Sequence, residues 1–142
     1  MIAIGSDHAG YELKQKVIAY LNQEGLAWRD YGCYSTESVD YPEPAKAVAQ
    51  AVADGQAEKG ILICGTGIGV SIAANKVHGI RCAHCHDVFS AEATRQHNDA
   101  NVLAMGARVI GEGLALKIVE TFINTPFSND ERHIRRIQML ED

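Results

Sequence analysis

Residues Ile61 to Gly69, ILICGTGIG, set one cysteine between an apolar run and three glycines at alternate positions. Such a run followed by glycines predicts a strand ending in a tight turn that leads into a helix. Backbone N–H groups at a helix start can bind an oxyanion or a phosphate, and a thiol beside them sits in positive potential. A free cysteine of pKa near 8.5 is only about 3% thiolate at pH 7, and helix-end placement plus a cation raises that fraction. The same dipoles can stabilise an enediolate oxygen. Two other readings stand beside the reactive thiolate. The glycines can be a structural turn with Cys64 a small buried residue at the strand end, or the loop can cradle a nucleotide. The nucleotide reading meets two obstacles: the spacing is G-x-G-x-G after the third apolar run rather than G-x-G-x-x-G after the first, and no Gly-Lys-Ser/Thr follows.

Four further groups have chemistry-bearing types at suggestive spacing. Asp7-His8, in SDHAG, follows the first apolar run; the pair fits a helix cap or an acid/base and hydroxyl-binding pair. His97 and Asn98, in RQHND, close a predicted helix, where histidine suits the helix dipole and the two side chains together suit a sugar. Arg132 and Arg136, in ERHIRR, lie four apart on one helical face, either a solvated face or a pair of forks for phosphate, and Arg108 in MGARVIG could join them. The stretch CAHCH, Cys82 to His86, contains C-x-x-C, which raises zinc or dithiol chemistry. It lacks a second ligand pair, and on an extended strand Cys82 and Cys85 point to opposite faces. These cysteines therefore read as strand and loop residues.

The elements that must position these groups alternate. Apolar runs at Ile2 to Gly5, Leu26 to Tyr31, Ile61 to Cys64, Gly79 to Ala83 and Val102 to Met105 read as strands. Between and after them, Tyr11 to Glu24, Pro42 to Ala53, Val70 to Lys76, Val88 to His97, Leu114 to Ile123 and Asp130 to Leu140 have helical spacing. Leu13, Val17, Ile18 and Leu21 mark one buried face, Gly25 a stop, and Pro42 and Pro44 a helix start. Strand and helix in alternation predict right-handed crossovers, a five-stranded parallel sheet between two helical layers, and a basic C-terminal helix. Ligands in such α/β sheets bind beyond the carboxyl ends of the strands. That rule selects Asp7-His8, Cys64 to Gly69 and the loop near His97.

Bulk properties narrow the class. The 142 residues fit one domain, 1–142, with a core large enough to hold without covalent staples. A net charge of −5, from 13 basic and 18 acidic residues, argues against a general nucleic-acid or membrane-surface binder, so an anionic ligand would need a local basic site. The N-terminus meets charge after a short apolar run, too soon for a signal-peptide core, and cysteines at 33, 64, 82 and 85 are too sparse for a disulfide framework. A cytoplasmic protein with free thiols is expected.

Taken together and in order, SDHAG, DYP at 40–42, ILICGTGIGVSIAANK at 61–76, RQHNDANVLAMGARVIG at 95–111 and RHIRR at 132–136 closely resemble the B-type ribose-5-phosphate isomerases. These share a family with allose-6-phosphate and galactose-6-phosphate isomerases. The resemblance spans the chain and implies a Rossmann-like three-layer fold, a homodimer able to pair into a tetramer, and no metal or organic cofactor. It implies aldose–ketose isomerisation through a cis-enediolate, with Cys64 moving a proton between C2 and C1. Thr66 and the amides of Gly65, Gly67, Ile68 and Gly69 would steady the enediolate. His97 would open the furanose ring, Asp7 would handle sugar hydroxyls or the anomeric proton, and Tyr41 would border the sugar. His8, Arg132 and Arg136 would hold the phosphate, with Arg108 arriving from a partner subunit, and His97 and Asn98 would likewise cross the dimer. Some relatives place a glutamate after the glycine loop as the base. Here Val70 and Ser71 stand there and cannot serve, which agrees with the thiol-based subtype. A hexose-phosphate isomerase, a nucleotide-binding regulatory module and a thiol oxidoreductase working through Cys82 and Cys85 remain as alternatives.

Overall fold

Along the chain run β1 (Ile2–Ser6), α1 (Tyr11–Gln23), β2 (Trp28–Asp30), α2 (Pro42–Ala53), β3 (Lys59–Cys64), α3 (Ile68–Asn75), β4 (Cys82–His84), α4 (Val88–Asn98), β5 (Val102–Gly106), α5 (Glu112–Asn124) and α6 (Glu131–Glu141). These elements come from a computed structural model that describes residues 1–142. The strands make one parallel sheet in the order β2-β1-β3-β5-β4. Parallel pairing needs crossovers, and these cover both faces, so the inner strands are buried at every position but Lys59 and are mainly apolar rather than alternating.

Period-two alternation then divides one core into two. Ile2, Ile4, Ile61, Ile63, Leu103 and Met105 face α1 and α5, meeting Val17, Leu21, Ile118 and Phe122. Ala3, Leu62, Cys64, Val102 and Ala104 face α2 and α3, meeting Val48, Ala49, Val70 and Ala74. The second layer is made of smaller side chains and lies close to the sheet. A Cβ on Gly60 would come within 2.7 Å of the Val48 side chain, so glycine at that sheet position is what admits α2.

The expected three-layer architecture, five parallel strands and basic terminal helix are all present, with several boundaries shifted by one to three residues, two of them for a visible local reason. β4 begins at Cys82 rather than Gly79. Gly79 has φ of 86° in a turn, and the Arg81 N–H is taken by the Asn101 side chain at 2.8 Å, so the chain joins the sheet only afterwards. α3 begins at Ile68 rather than Val70, because Gly67 adopts φ of 79° and turns the strand straight into the helix.

Candidate active site

In the order β2-β1-β3-β5-β4, the chain winds from β1 outward to β2 and then returns to place β3 on the other side. The carboxyl ends of β1 and β3 therefore flank the topological switch point, where open α/β sheets bind ligands. β1 ends at Asp7-His8 and β3 at Cys64; both open into a cleft of about 440 Å³, within the usual range for a small-molecule site.

Each group is held by the local backbone. Asp7 is buried, and its Oδ1 accepts the Gly10 N–H at 3.0 Å, so one carboxylate oxygen anchors the turn into α1. Gly10 is required there, since a Cβ would lie 2.4 Å from the Ile63 carbonyl oxygen. His8 Nδ1 accepts the Val39 N–H at 3.2 Å, which assigns the proton of the neutral ring to Nε2. Buried Cys64 Sγ accepts the Gly67 N–H at 3.1 Å, and Thr66 Oγ1 accepts the Ile68 N–H at 3.2 Å. The loop is thus folded so that an amide points at sulfur, the arrangement that favours negative charge there. Tyr41 packs its ring on Gly69, where a Cβ would sit 2.6 Å from the ring.

Arg108, which the resemblance assigns to a partner subunit, already lies in the cleft of its own chain. Its backbone N–H donates to the Gly65 carbonyl at 3.0 Å, and its guanidinium covers Gly65, with Nη1 3.1 Å from where a Cβ would be. Arg108 forms no ion pair with any carboxylate, so the cleft that holds the thiol is also lined by a guanidinium without an ion-pair partner.

The remaining predicted site residues lie elsewhere. His97 on α4 stacks on His133 of α6 with ring centroids 4.6 Å apart, and His133 Nδ1 meets Ser128 Oγ at 3.1 Å. Burial, then the charges of His97, Arg132 and Arg136, hold His133 below its usual pKa. Asp130 caps α6 by accepting the Arg132 N–H at 3.0 Å, leaving the Arg132 and Arg136 side chains exposed beside His133. None of these four, nor Asn98, lines the Cys64 cleft. Asn98 borders a larger cleft of about 590 Å³ near the C-terminus, whose Arg81 is already paired with Glu141 at 2.7 Å and Asp99 at 3.7 Å. A neutralised cation suits an anionic substrate poorly, so the smaller cleft is the better site despite its volume.

CAHCH resolves as its spacing implies for the cysteines. Cys82 packs against the α2–α3 layer and Cys85 belongs to the opposite core. Burial pushes the Cys82 thiol up to about 12 and the Cys85 thiol up to about 11, the reverse of a reactive dithiol. The histidines of the same stretch carry contacts that sequence reasoning missed. His84 Nε2 donates to the Thr66 carbonyl at 2.9 Å, and His86 Nε2 accepts the Gly106 N–H at 2.9 Å. Their i, i+2 spacing at a strand end was the available signal, since it puts both on one face.

Comparison with known proteins gives the family. Residues 2–140 match the family described as ribose/galactose isomerase. The chain is 48% identical over 139 residues to ribose-5-phosphate isomerase B of Escherichia coli, covering 98% of this chain and 93% of that one. It is 49% identical over 127 residues to a D-erythrulose-4-phosphate isomerase of Pectobacterium atrosepticum, covering 89% and 84%. Among solved structures, ribose-5-phosphate isomerase B of Clostridium thermocellum superposes with a TM-score of 0.97 at 48% identity, over 99% of this chain and 94% of that one. With near-complete coverage in both directions and a glycine–cysteine loop at the switch point, the chain belongs to the ribose/galactose isomerase family and is a sugar-phosphate isomerase.

Proposed function

We propose that the protein interconverts D-ribose 5-phosphate and D-ribulose 5-phosphate through a cis-enediolate, with Cys64 as the base. One observation carries this reading: a thiol that accepts an N–H from its own glycine loop shares a cleft with an unpaired guanidinium. Removing the weakly acidic C2 proton requires a base and, simultaneously, donors for the oxyanion left behind. Cys64 supplies the first; Thr66 and the amides from Gly65 to Gly69 supply the second. The Nε2–H of His8 and the guanidinium of Arg108 bind phosphate, and that remote binding energy holds C1 and C2 against the sulfur. Asp7 and Tyr41 contact the sugar.

His97, Asn98, Arg132 and Arg136 complete the site from a second copy of the chain. Supporting this, all four lie on α4 and α6 outside the Cys64 cleft, while Ile68 and Ile72 at the cleft rim are 52% and 57% exposed, an apolar edge suited to a partner. The partner's His97 protonates the ring oxygen to open the furanose.

Substrate length is tested by measuring kcat/KM side by side for ribose 5-phosphate, allose 6-phosphate and erythrulose 4-phosphate. Ribose 5-phosphate is expected to lead, and a strong preference for either other sugar overturns the pentose assignment. In the same assay Cys64→Ala, folded as wild type, is expected to lose roughly 10²- to 10⁴-fold in kcat. Turnover at the wild-type rate would remove Cys64 as base.

A further inference from the structure

The Thr66–Gly67 peptide is gripped at both ends. Its carbonyl oxygen accepts the His84 Nε2–H at 2.9 Å, and its N–H donates to Cys64 Sγ at 3.1 Å. A carbonyl can only accept, so the His84 proton sits on Nε2. Because a trans peptide is planar and its C=O and N–H point in opposite directions, fixing the oxygen fixes where the hydrogen aims. Behind this peptide the backbone has no slack. A Cβ on Gly106 would lie 2.5 Å from the Thr66 carbonyl carbon, and one on Gly67 would lie 2.7 Å from Met105 backbone and 2.8 Å from His84 Nε2. His86, its ring edge-on to His84 at 4.5 Å, takes the Gly106 N–H at 2.9 Å and so secures the wall against which the loop rests.

We propose that His84 is a positioning residue for Cys64, acting through the Thr66–Gly67 peptide. Its N–H polarises the amide and keeps the Gly67 hydrogen on the sulfur, so that negative charge at Cys64 is stabilised by a donor that is itself hydrogen-bonded. His84 does not line the cleft, its one side-chain hydrogen bond goes to this carbonyl, and its exposed side chain contributes little to the core. A purely structural staple between β4 and the loop would affect stability without affecting the sulfur. The proposal rests on Cys64 being the base, and it makes loop chemistry depend on a residue that does not itself line the cleft.

The test compares His84→Leu, which removes the donor; His84→Asn, which is polar but too short to reach the carbonyl; and His84→Gln, whose amide nitrogen can occupy the Nε2 position. Iodoacetamide alkylation of Cys64 at pH 7 is followed by mass spectrometry, with Cys33, Cys82 and Cys85 as internal references, and kcat and KM are measured in parallel. The leucine and asparagine variants are expected to alkylate Cys64 roughly three- to tenfold more slowly and to lose kcat by a similar factor, with KM nearly unchanged. Glutamine is expected to restore both. Alkylation of Cys64 at the wild-type rate in a folded leucine or asparagine variant overturns the proposal, and so does a glutamine variant as slow as they are. Alkylation needs no substrate, so this arm judges His84 even if wild-type protein turns over no pentose phosphate; that result would overturn the function proposed above instead.

Discussion

Arg108 brings a guanidinium to the Cys64 cleft without a carboxylate partner of its own, leaving it available to a dianionic phosphate. A planar fork and a fixed charge both matter in that role, and lysine reproduces only the charge. Arg108→Gln is therefore expected to raise KM for ribose 5-phosphate roughly 10- to 100-fold with a smaller change in kcat, and Arg108→Lys to fall between. Steady-state kinetics on both variants check this. A fall in kcat at constant KM would instead place Arg108 at the reacting carbons. Spacing alone could mark Arg108 as a basic residue after a strand, but not which chain's cleft it enters. That depends on the turn that ties its backbone to Gly65.

At the scale of elements, the segment leaving β4 couples the sheet to pH. His86 Nε2 accepts a backbone N–H and must stay unprotonated to do so. Burial, then the neighbouring His84, lowers its pKa, against a smaller opposing pull from Asp87. His133, buried against His97, is lowered as well. For a base lowered on folding, the unfolded chain binds the proton that the folded chain refuses, so stability falls as pH drops below the usual 6.5. The melting temperature is expected to fall between pH 7.5 and 5.5. His86→Gln, which keeps an acceptor at the same place without titrating, is expected to flatten part of that dependence. An unchanged slope would show that protonation of His86 does not oppose folding.

For the molecule as a whole, the proposed machinery falls into two groups, one at the switch point and one on α4 and α6. If two copies share each site, proteins carrying Cys64→Ala and His97→Ala, each inactive alone, should complement when mixed and allowed to exchange. A mixed dimer then contains one site with both residues intact, and random pairing restores roughly a quarter of wild-type activity. If each site is built within one chain, every site in every mixed dimer lacks one residue and activity stays absent. Activity measured after subunit exchange, with mixed dimers verified by native mass spectrometry, separates the two architectures.

Local pattern determined the strands, the helices, the parallel sheet and the general location of the candidate site. Apolar runs and glycine stops are properties of neighbouring residues, and the strand-end rule converts them directly into a place. The β4 boundary escaped because Arg81 is captured by Asn101, a contact across 20 positions. Tertiary structure alone decided which side chains share the cleft: Arg108 entered it, while His97, Asn98 and the terminal arginines did not. It also turned His84 from an unassigned residue in CAHCH into the group behind the Thr66 carbonyl. Spacing constrains direction along one element, but contacts between elements depend on turns and packing that no short stretch contains.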